Sequence, residues 1–299
     1  MIVAAPGKLF TTGAYAVLEG APAIVVAVNR YVLASAGDPS ARPEVVEVAR
    51  RVGAPVPSVD TSALEEGGRK LGLGSSAAAA VATAALLMGM TNLRDHQTRC
   101  RIFDEARAAH AVTQPRGSGG DVAAATFGGV LRVQKNGDQL NAEAAIWPIG
   151  LVFRAFALER STRTSDALDR LDARRDRAGR ALAMLCEAAR AGAAATSAST
   201  FVEAASHHVE GLAALGTALD LPLVPSEVIR AREVLSSPTG ARSSSDFALL
   251  PSGAGGGDTV LWLGARAPTE QEAATLDGLG LHALTLAIDS LGVHAVEKS

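Results

Sequence analysis

Apolar positions in the first 35 residues come in short runs broken by turn formers. Ile2–Ala5 is apolar and ends at Pro6-Gly7, Ala14–Leu18 and Ala23–Val28 flank Glu19-Gly20-Ala21-Pro22, and Tyr31–Ser35 continues the pattern. Such runs predict strands joined by turns. Residues 37–68 are punctuated by Pro and Gly, with a short helix or strand near Val45–Val52. The runs then lengthen. Ser76–Met90, rich in Ala and free of Pro, predicts a buried helix, and Arg94–Val112 a second one stopped by Pro115 and Gly117. Val122–Thr126 reads as a short helix, Val130–Val133 as a strand with Asn136-Gly137 as its hairpin turn, and Ile149–Leu158 as another strand. Ser165–Arg190 and Phe201–Leu219 predict long helices joined by the small residues Ala191–Ser199, and Ser226–Leu235 a third. Phe247–Leu250 and Val260–Leu263 predict strands around a glycine loop, with Glu270–Leu276 and Thr285–Ile288 closing the chain. Strands first, then helices, then strands is no βαβ alternation. The pattern predicts an α+β protein of two lobes, 1–155 and 156–299.

Composition narrows the function. At 299 residues, with 48% hydrophobic and 20% charged, the chain can bury a large core and is not disordered. A net charge of −3 and only 4% aromatic residues give neither a field nor stacking platforms for nucleic acid. Two cysteines, Cys100 and Cys186, make no disulfide framework and no zinc set. The apolar stretch Ala77–Met90 is interrupted by Thr83 and Gly89 and is too short for a bilayer, and no signal-peptide pattern opens the chain. The expectation is a soluble, cytoplasmic protein, monomer or homodimer, with small-molecule partners and neither nucleic acid nor membrane. Of four lysines, Lys8 and Lys70 lie beside glycine-rich segments.

Three such segments carry the candidate chemistry. Gly72-Leu73-Gly74-Ser75-Ser76-Ala77 runs directly into a helix. Glycines allow close backbone approach, and a helix start offers free N–H groups and a positive dipole end. Together they suit an anion, with Ser75 and Ser76 adding hydroxyls for phosphate oxygens or Mg²⁺. The same segment also reads as a plain serine-capped loop. It fits G-x-G-x-x-A, but Glu65–Lys70 before it is no buried strand, and it lacks the P-loop form. In Gly117-Ser118-Gly119-Gly120-Asp121, the aspartate is either a helix cap or a carboxylate aimed at an attacking hydroxyl. Pro251-Ser252-Gly253-Ala254-Gly255-Gly256-Gly257-Asp258 has more glycine than a hairpin needs and suits backbone N–H groups around an anion. Three glycine loops, without a metal-ligand cluster, a G-x-S-x-G elbow or a Cys/His pair, favour phosphoryl transfer, which is mostly positioning and charge neutralisation.

In this order the segments resemble the GHMP small-molecule kinase superfamily, with Ala5-Pro6-Gly7-Lys8-Leu9-Phe10 as its N-terminal motif, Gly72–Ala77 as its phosphate loop and Pro251–Asp258 as its C-terminal motif. Ala109-His110, Gln114 and Gly117–Ala123 are similar to the pattern of its phosphomevalonate kinases. The resemblance implies a ribosomal-protein-like N-terminal lobe, a ferredoxin-like C-terminal lobe and ATP between them. It implies that Gly72, Leu73, Gly74, Ser75, Ser76 and Ala77 bind the ATP phosphates, with Ser75 also near Mg²⁺. Asp121 is then the base or orienting carboxylate, and Lys8 the group that lowers the acceptor oxygen's pKa or stabilises transferred charge. Ser118, Gly119, the segment Ser161-Thr162-Arg163-Thr164, and Ser252, Gly253, Ala254 and Gly255 fall on the acceptor side. Arg163, Arg69 or Arg116 is expected to neutralise the acceptor's phosphate. The implied activity is ATP-dependent phosphorylation of (R)-5-phosphomevalonate in the mevalonate route to isoprenoids. Alternatives are a GHMP kinase for mevalonate or another small alcohol, and a non-catalytic nucleotide-binding homologue.

Overall fold

The computed structural model describes residues 1–90, 92–158, 164–236 and 246–296. The N-terminal part supplies strands β1 (Ile2–Thr12) and β2 (Pro22–Ser35), helix α1 (Pro43–Val52), β3 (Ser58–Asp60) and a small hairpin, β4 (Glu65–Glu66) and β5 (Arg69–Lys70). Helices α2 (Ser75–Leu87), α3 (His96–Thr113) and α4 (Gly120–Phe127) follow, then β6 (Val130–Asn136) and β7 (Gln139–Ala144). The C-terminal part begins with β8 (Val152–Leu158) and continues through α5 (Thr164–Ala173), α6 (Arg175–Ala194), α7 (Ala198–Leu219) and α8 (Ser226–Leu235). It ends with β9 (Phe247–Pro251), β10 (Thr259–Gly264), α9 (Glu270–Gly278), β11 (Leu281–Leu284) and β12 (His294–Val296). One sheet runs β12-β1-β2-β6-β7, with β3 on β2, and a second runs β11-β8-β10-β9; paired strands in both are antiparallel. The α+β expectation holds.

Burial explains the layering. Residues 22–28 of β2 are buried without alternation, so both faces of that strand are covered. Helices α2, α4 and α6 all pack on it. Helix α2 is apolar on every side and fully buried from Ala77 to Ala85, and its alanines let neighbouring elements come close. Helix α7 covers the second sheet through β9 and β10 and pairs lengthwise with α6.

Four expected elements differ. Strand β1 does not stop at Pro6-Gly7; it runs on to Thr12, and a register shift between Pro6 and Gly7 absorbs the irregularity. Strand β12 reaches only Ile2–Ala4, so Pro6 lies beyond the stretch where that edge is paired. Residues 14–18 are not a strand: Tyr15, at φ 62°, leads into a 3-10 turn over Ala16–Glu19. The single helix expected over Ser165–Arg190 is two, broken at Arg174, and the second absorbs Ala191–Ala194. No glycine or proline marks that break; the residues on either side of it pair away from the helix, Arg174 with Asp220 and Arg175 with Glu19. The chain closes not on Thr285–Ile288, of which Ile288 makes an isolated bridge to Val28, but on the strands Leu281–Leu284 before it and His294–Val296 after it. Among the described residues no helix is long and apolar enough to cross a membrane.

His208 of α7 is 1% exposed, and its Nδ1 has no hydrogen-bond partner. Burial pushes its pKa down to about 4 from the ordinary 6.5. The unfolded chain takes up this proton near pH 6.5 and the native one only near 4, so stability falls as pH drops through that window, by about 3 kcal/mol in all. His208→Leu is expected to flatten that part of the acid limb in urea titrations between pH 7 and pH 4; an unchanged limb would remove His208 as its cause.

Candidate functional site

The three glycine segments converge, and β1 is the element that gathers them. The backbone N–H of Lys8 donates to the Leu73 carbonyl at 2.8 Å, and its ammonium donates to the Gly72 carbonyl at 2.9 Å. Gly72 and Gly74 have φ of 66° and 78°, which an L side chain resists. A Cβ on Gly72 would stand 2.6 Å from the Asp258 Cβ, and one on Gly74 3.0 Å from the Lys8 side chain. Gly74 is also the N-cap of α2 and brings no side chain to that helix start, leaving N–H groups of its first turn for an anion. Gly119 caps α4 in the same bare way, and Asp121 sits in that helix's first turn, its Oδ1 accepting from the Val122 N–H at 2.9 Å.

Two cavities meet here. The larger, about 960 Å³, is lined by Lys8, Gly72, Leu73, Gly74, Ser75, Ser76 and Asp121, all expected from the sequence, and by Arg42, Glu44, Lys70, Gln114 and Asp258. The smaller, about 130 Å³, is lined by Lys8, Asp121, Ser118, Gly253 and Ala254, again expected, together with Tyr15, Gln114, Arg116 and Leu168. Lys8, Gln114 and Asp121 belong to both walls. Burial pulls the pKa of the Lys8 ammonium down, and the negative charges of Asp121 and Asp258 oppose that without cancelling it. The Ser76 hydroxyl lies 3.1 Å from His110 Nε2 and accepts from the Gln114 side-chain amide at 3.1 Å.

Several expected site residues are placed elsewhere or have other partners. Ala77 is fully buried in the core and lines neither cavity. Gly119 faces a separate side cavity with Arg107 and Lys135. The Ser252 hydroxyl is taken up by β1: it accepts from the Phe10 N–H at 3.0 Å and donates to the Phe10 carbonyl at 3.1 Å. Gly255 packs on the Leu223 carbonyl, 2.3 Å from where a Cβ would be. Arg69 lies exposed on the β4–β5 hairpin, outside both walls, whereas Arg116 is in the smaller one. Ser161, Thr162 and Arg163 fall outside the described residues, and Thr164 opens the backbone of α5. Sequence reasoning missed Arg42 and Glu44, an ion pair at 2.7 Å that opens α1; nothing in the Pro-Gly punctuation of that region signalled a cavity wall. Lys70 had a signal, its place beside the first loop.

The third loop is tied to the first by Thr259, whose buried hydroxyl donates to the Leu71 carbonyl at 2.6 Å. Thr259→Val would leave that carbonyl without its partner and is expected to cost about 1–3 kcal/mol. Urea unfolding measures the cost, and no loss would mean that the two loops are held together by other contacts.

Comparison with known proteins bears on the fold. Residues 62–129, from the β4–β5 hairpin through α4, match the family profile "GHMP kinases N terminal domain". A phosphomevalonate kinase of Streptomyces sp. (strain CL190) is 33% identical over 183 residues, 44% of this chain and 48% of that protein, so the match spans about half the length of that relative. Among solved structures, a Listeria innocua protein superposes with a TM-score of 0.79 at 21% identity, covering 99% of both chains. Streptococcus pneumoniae phosphomevalonate kinase in complex with phosphomevalonate and AMPPNP superposes at 0.76 and 18% identity, covering 96% of this chain and 99% of that one. A mevalonate kinase and a homoserine kinase share the fold as well. Residues 62–129 are thus similar to the GHMP kinase N-terminal domain, and the chain shares the α+β fold of these solved GHMP kinases.

Proposed function

We propose that this protein is an ATP-dependent phosphotransferase that converts (R)-5-phosphomevalonate to the 5-diphosphate. The observation that carries the reading is the shared wall: a large cavity over the uncapped start of α2 and a small one beside it meet at Lys8, Gln114 and Asp121. A donor phosphate in the first and an acceptor in the second would place the transferred group at that wall, where proximity itself lowers the barrier. The resemblance to phosphomevalonate kinases supports the acceptor assignment.

In this reading the N–H groups of the Gly72–Ser76 turn cradle the nucleotide phosphates, with Lys70 and Arg42 in the same wall. The Ser75 hydroxyl opens α2 inside the cavity and suits Mg²⁺, which binds through few protein ligands plus phosphate oxygens and water. Bound there, Mg²⁺ would neutralise charge on the phosphates. Lys8 offers its ammonium to the oxygens exchanging the phosphoryl group, and Asp121 orients the acceptor or takes its proton. Ser118, Gly253 and Ala254 line the acceptor's side. A phosphate monoester has a second pKa near 6, so its attacking oxygen is already ionised at neutral pH and needs charge neutralisation more than a base. An alcohol acceptor needs Asp121 as a base. Mevalonate or another small alcohol is therefore the second reading, favoured by the fold shared with mevalonate and homoserine kinases.

The test is ADP release with Mg-ATP, comparing phosphomevalonate with mevalonate. Turnover confined to the phosphorylated acceptor is the expected result; turnover with mevalonate alone would replace it with the second reading, and none with either would overturn both acceptors. Asp121→Ala is expected to lose about 10²-fold in turnover with phosphomevalonate through lost orientation of the acceptor while keeping ATP binding, and unchanged turnover would remove it from the site's work. Since burial lowers the pKa of Lys8, its charge is lost as pH rises through a value below the usual 10.5. The pH–rate profile should bend downward on that alkaline side, and Lys8→Arg, which stays charged, should remove the bend.

A further inference from the structure

We infer that Arg116, held in place by Asp169 and Asp172 of α5, reads a second anionic group on the acceptor, at the end away from the reacting oxygen. The inference rests on the kinase reading and deepens it: the acceptor is an acid, and its carboxylate is what Arg116 meets. Three observations carry it. The smaller cavity has two cationic residues in its wall, Lys8 and Arg116, and one carboxylate, Asp121. Lys8 and Asp121 also face the larger cavity, but Arg116 does not. The group receiving the phosphoryl must lie at the shared wall, so Arg116 is left for another part of the same molecule. In phosphomevalonate the phosphate is the group attacked, which leaves the carboxylate.

The geometry of Arg116 fits that role. Its Nη1 donates to Asp172 at 2.9 Å and its Nη2 donates to Asp169. A guanidinium has five N–H donors, so with both aspartates engaged three remain, including Nε–H, enough for a two-point contact with a carboxylate. Asp169 and Asp172 are 65% and 59% exposed, and ion pairs so open add little to stability. Their effect is to hold the guanidinium on the α5 side of the cavity, where Leu168 also lines the wall. They are positioning residues; Arg116 is the one that touches the acceptor. Of the other arginines expected from the sequence, Arg69 lines neither cavity and Arg163 lies outside the described residues.

The experiment compares two acceptors, (R)-5-phosphomevalonate and the 1-monophosphate of 3-methylbutane-1,3-diol, which lacks the carboxylate. Wild-type enzyme is expected to prefer the first by about 30-fold or more in kcat/KM, the scale of a lost charge pair. Arg116→Gln should bring the two acceptors within a few-fold of each other and leave the KM for Mg-ATP where it was. The double variant Asp169→Asn/Asp172→Asn should raise the KM for phosphomevalonate alone, with kcat kept. If Arg116→Gln retains the wild-type preference, or loses both acceptors equally while thermal melting shows it folded, the assignment is wrong. Absence of wild-type turnover with phosphomevalonate is a separate result: it sinks the acceptor reading, and the carboxylate assignment with it.

Discussion

A lysine ammonium set into a wall between two backbone loops is the constraint on which the rest of this structure turns. Desolvating a charge is expensive unless dipoles and counter-charges surround it, and Lys8 has the Gly72 carbonyl in contact and the charges of Asp121 and Asp258 nearby. To bring them in, the first loop must press against β1, and the residue types follow. At Gly7 a Cβ would stand 3.0 Å from the Leu73 carbonyl, and at Gly74 it would meet the Lys8 stem at the same distance. These glycines serve close approach to one side chain. Flexibility is not what the sequence is selecting at them.

The second consequence is that the site is a seam between the two sheets, closed by polar contacts. Ser252 grips the Phe10 backbone, the Tyr15 hydroxyl donates to the Ala254 carbonyl at 2.6 Å, Thr259 holds Leu71, and the Gly256 N–H donates to the Leu223 carbonyl at 2.8 Å. The third glycine loop is thereby fastened at Ser252, Ala254, Gly256 and Thr259. A loop so fixed reaches the smaller cavity only through Gly253 and Ala254. Its glycine richness therefore reflects packing against Leu223 as much as any ligand, which is why Ser252 and Gly255 have protein partners.

Much of this was legible in the sequence, for identifiable reasons. The α2 start was readable because Gly72-Leu73-Gly74-Ser75-Ser76 leads straight into an unbroken alanine helix. Lys8 and Asp121 were readable because each adjoins a glycine. The misses share a cause: tertiary contacts override local signals. Pro6-Gly7 reads as a stop, but β2 carries the strand past it. Arg174 reads as mid-helix, but its tie to Asp220 accompanies a break there. Arg42 and Glu44 sit in a stretch without periodicity, so only the folded chain brings them to the cavity.

The charges in the walls explain how such a site can favour anions while the protein as a whole is acidic. In the larger cavity Lys8, Arg42 and Lys70 face Glu44, Asp121 and Asp258, three cations against three carboxylates, so formal side-chain charge contributes no net attraction. What remains is direction: the N–H groups at the start of α2, where Gly74 brings no side chain, face the cavity. Affinity for a phosphate chain would then depend on the backbone and on whatever cation arrives with it. In the smaller cavity Lys8 and Arg116 face Asp121, and Arg116 is also paired with Asp169 and Asp172, so there too formal charge gives no net attraction and only directed donors remain. An acceptor carrying its own negative charge would thus be held by the free donors of a guanidinium, and a nucleotide by those of the backbone, so on both sides direction and not net charge does the selecting.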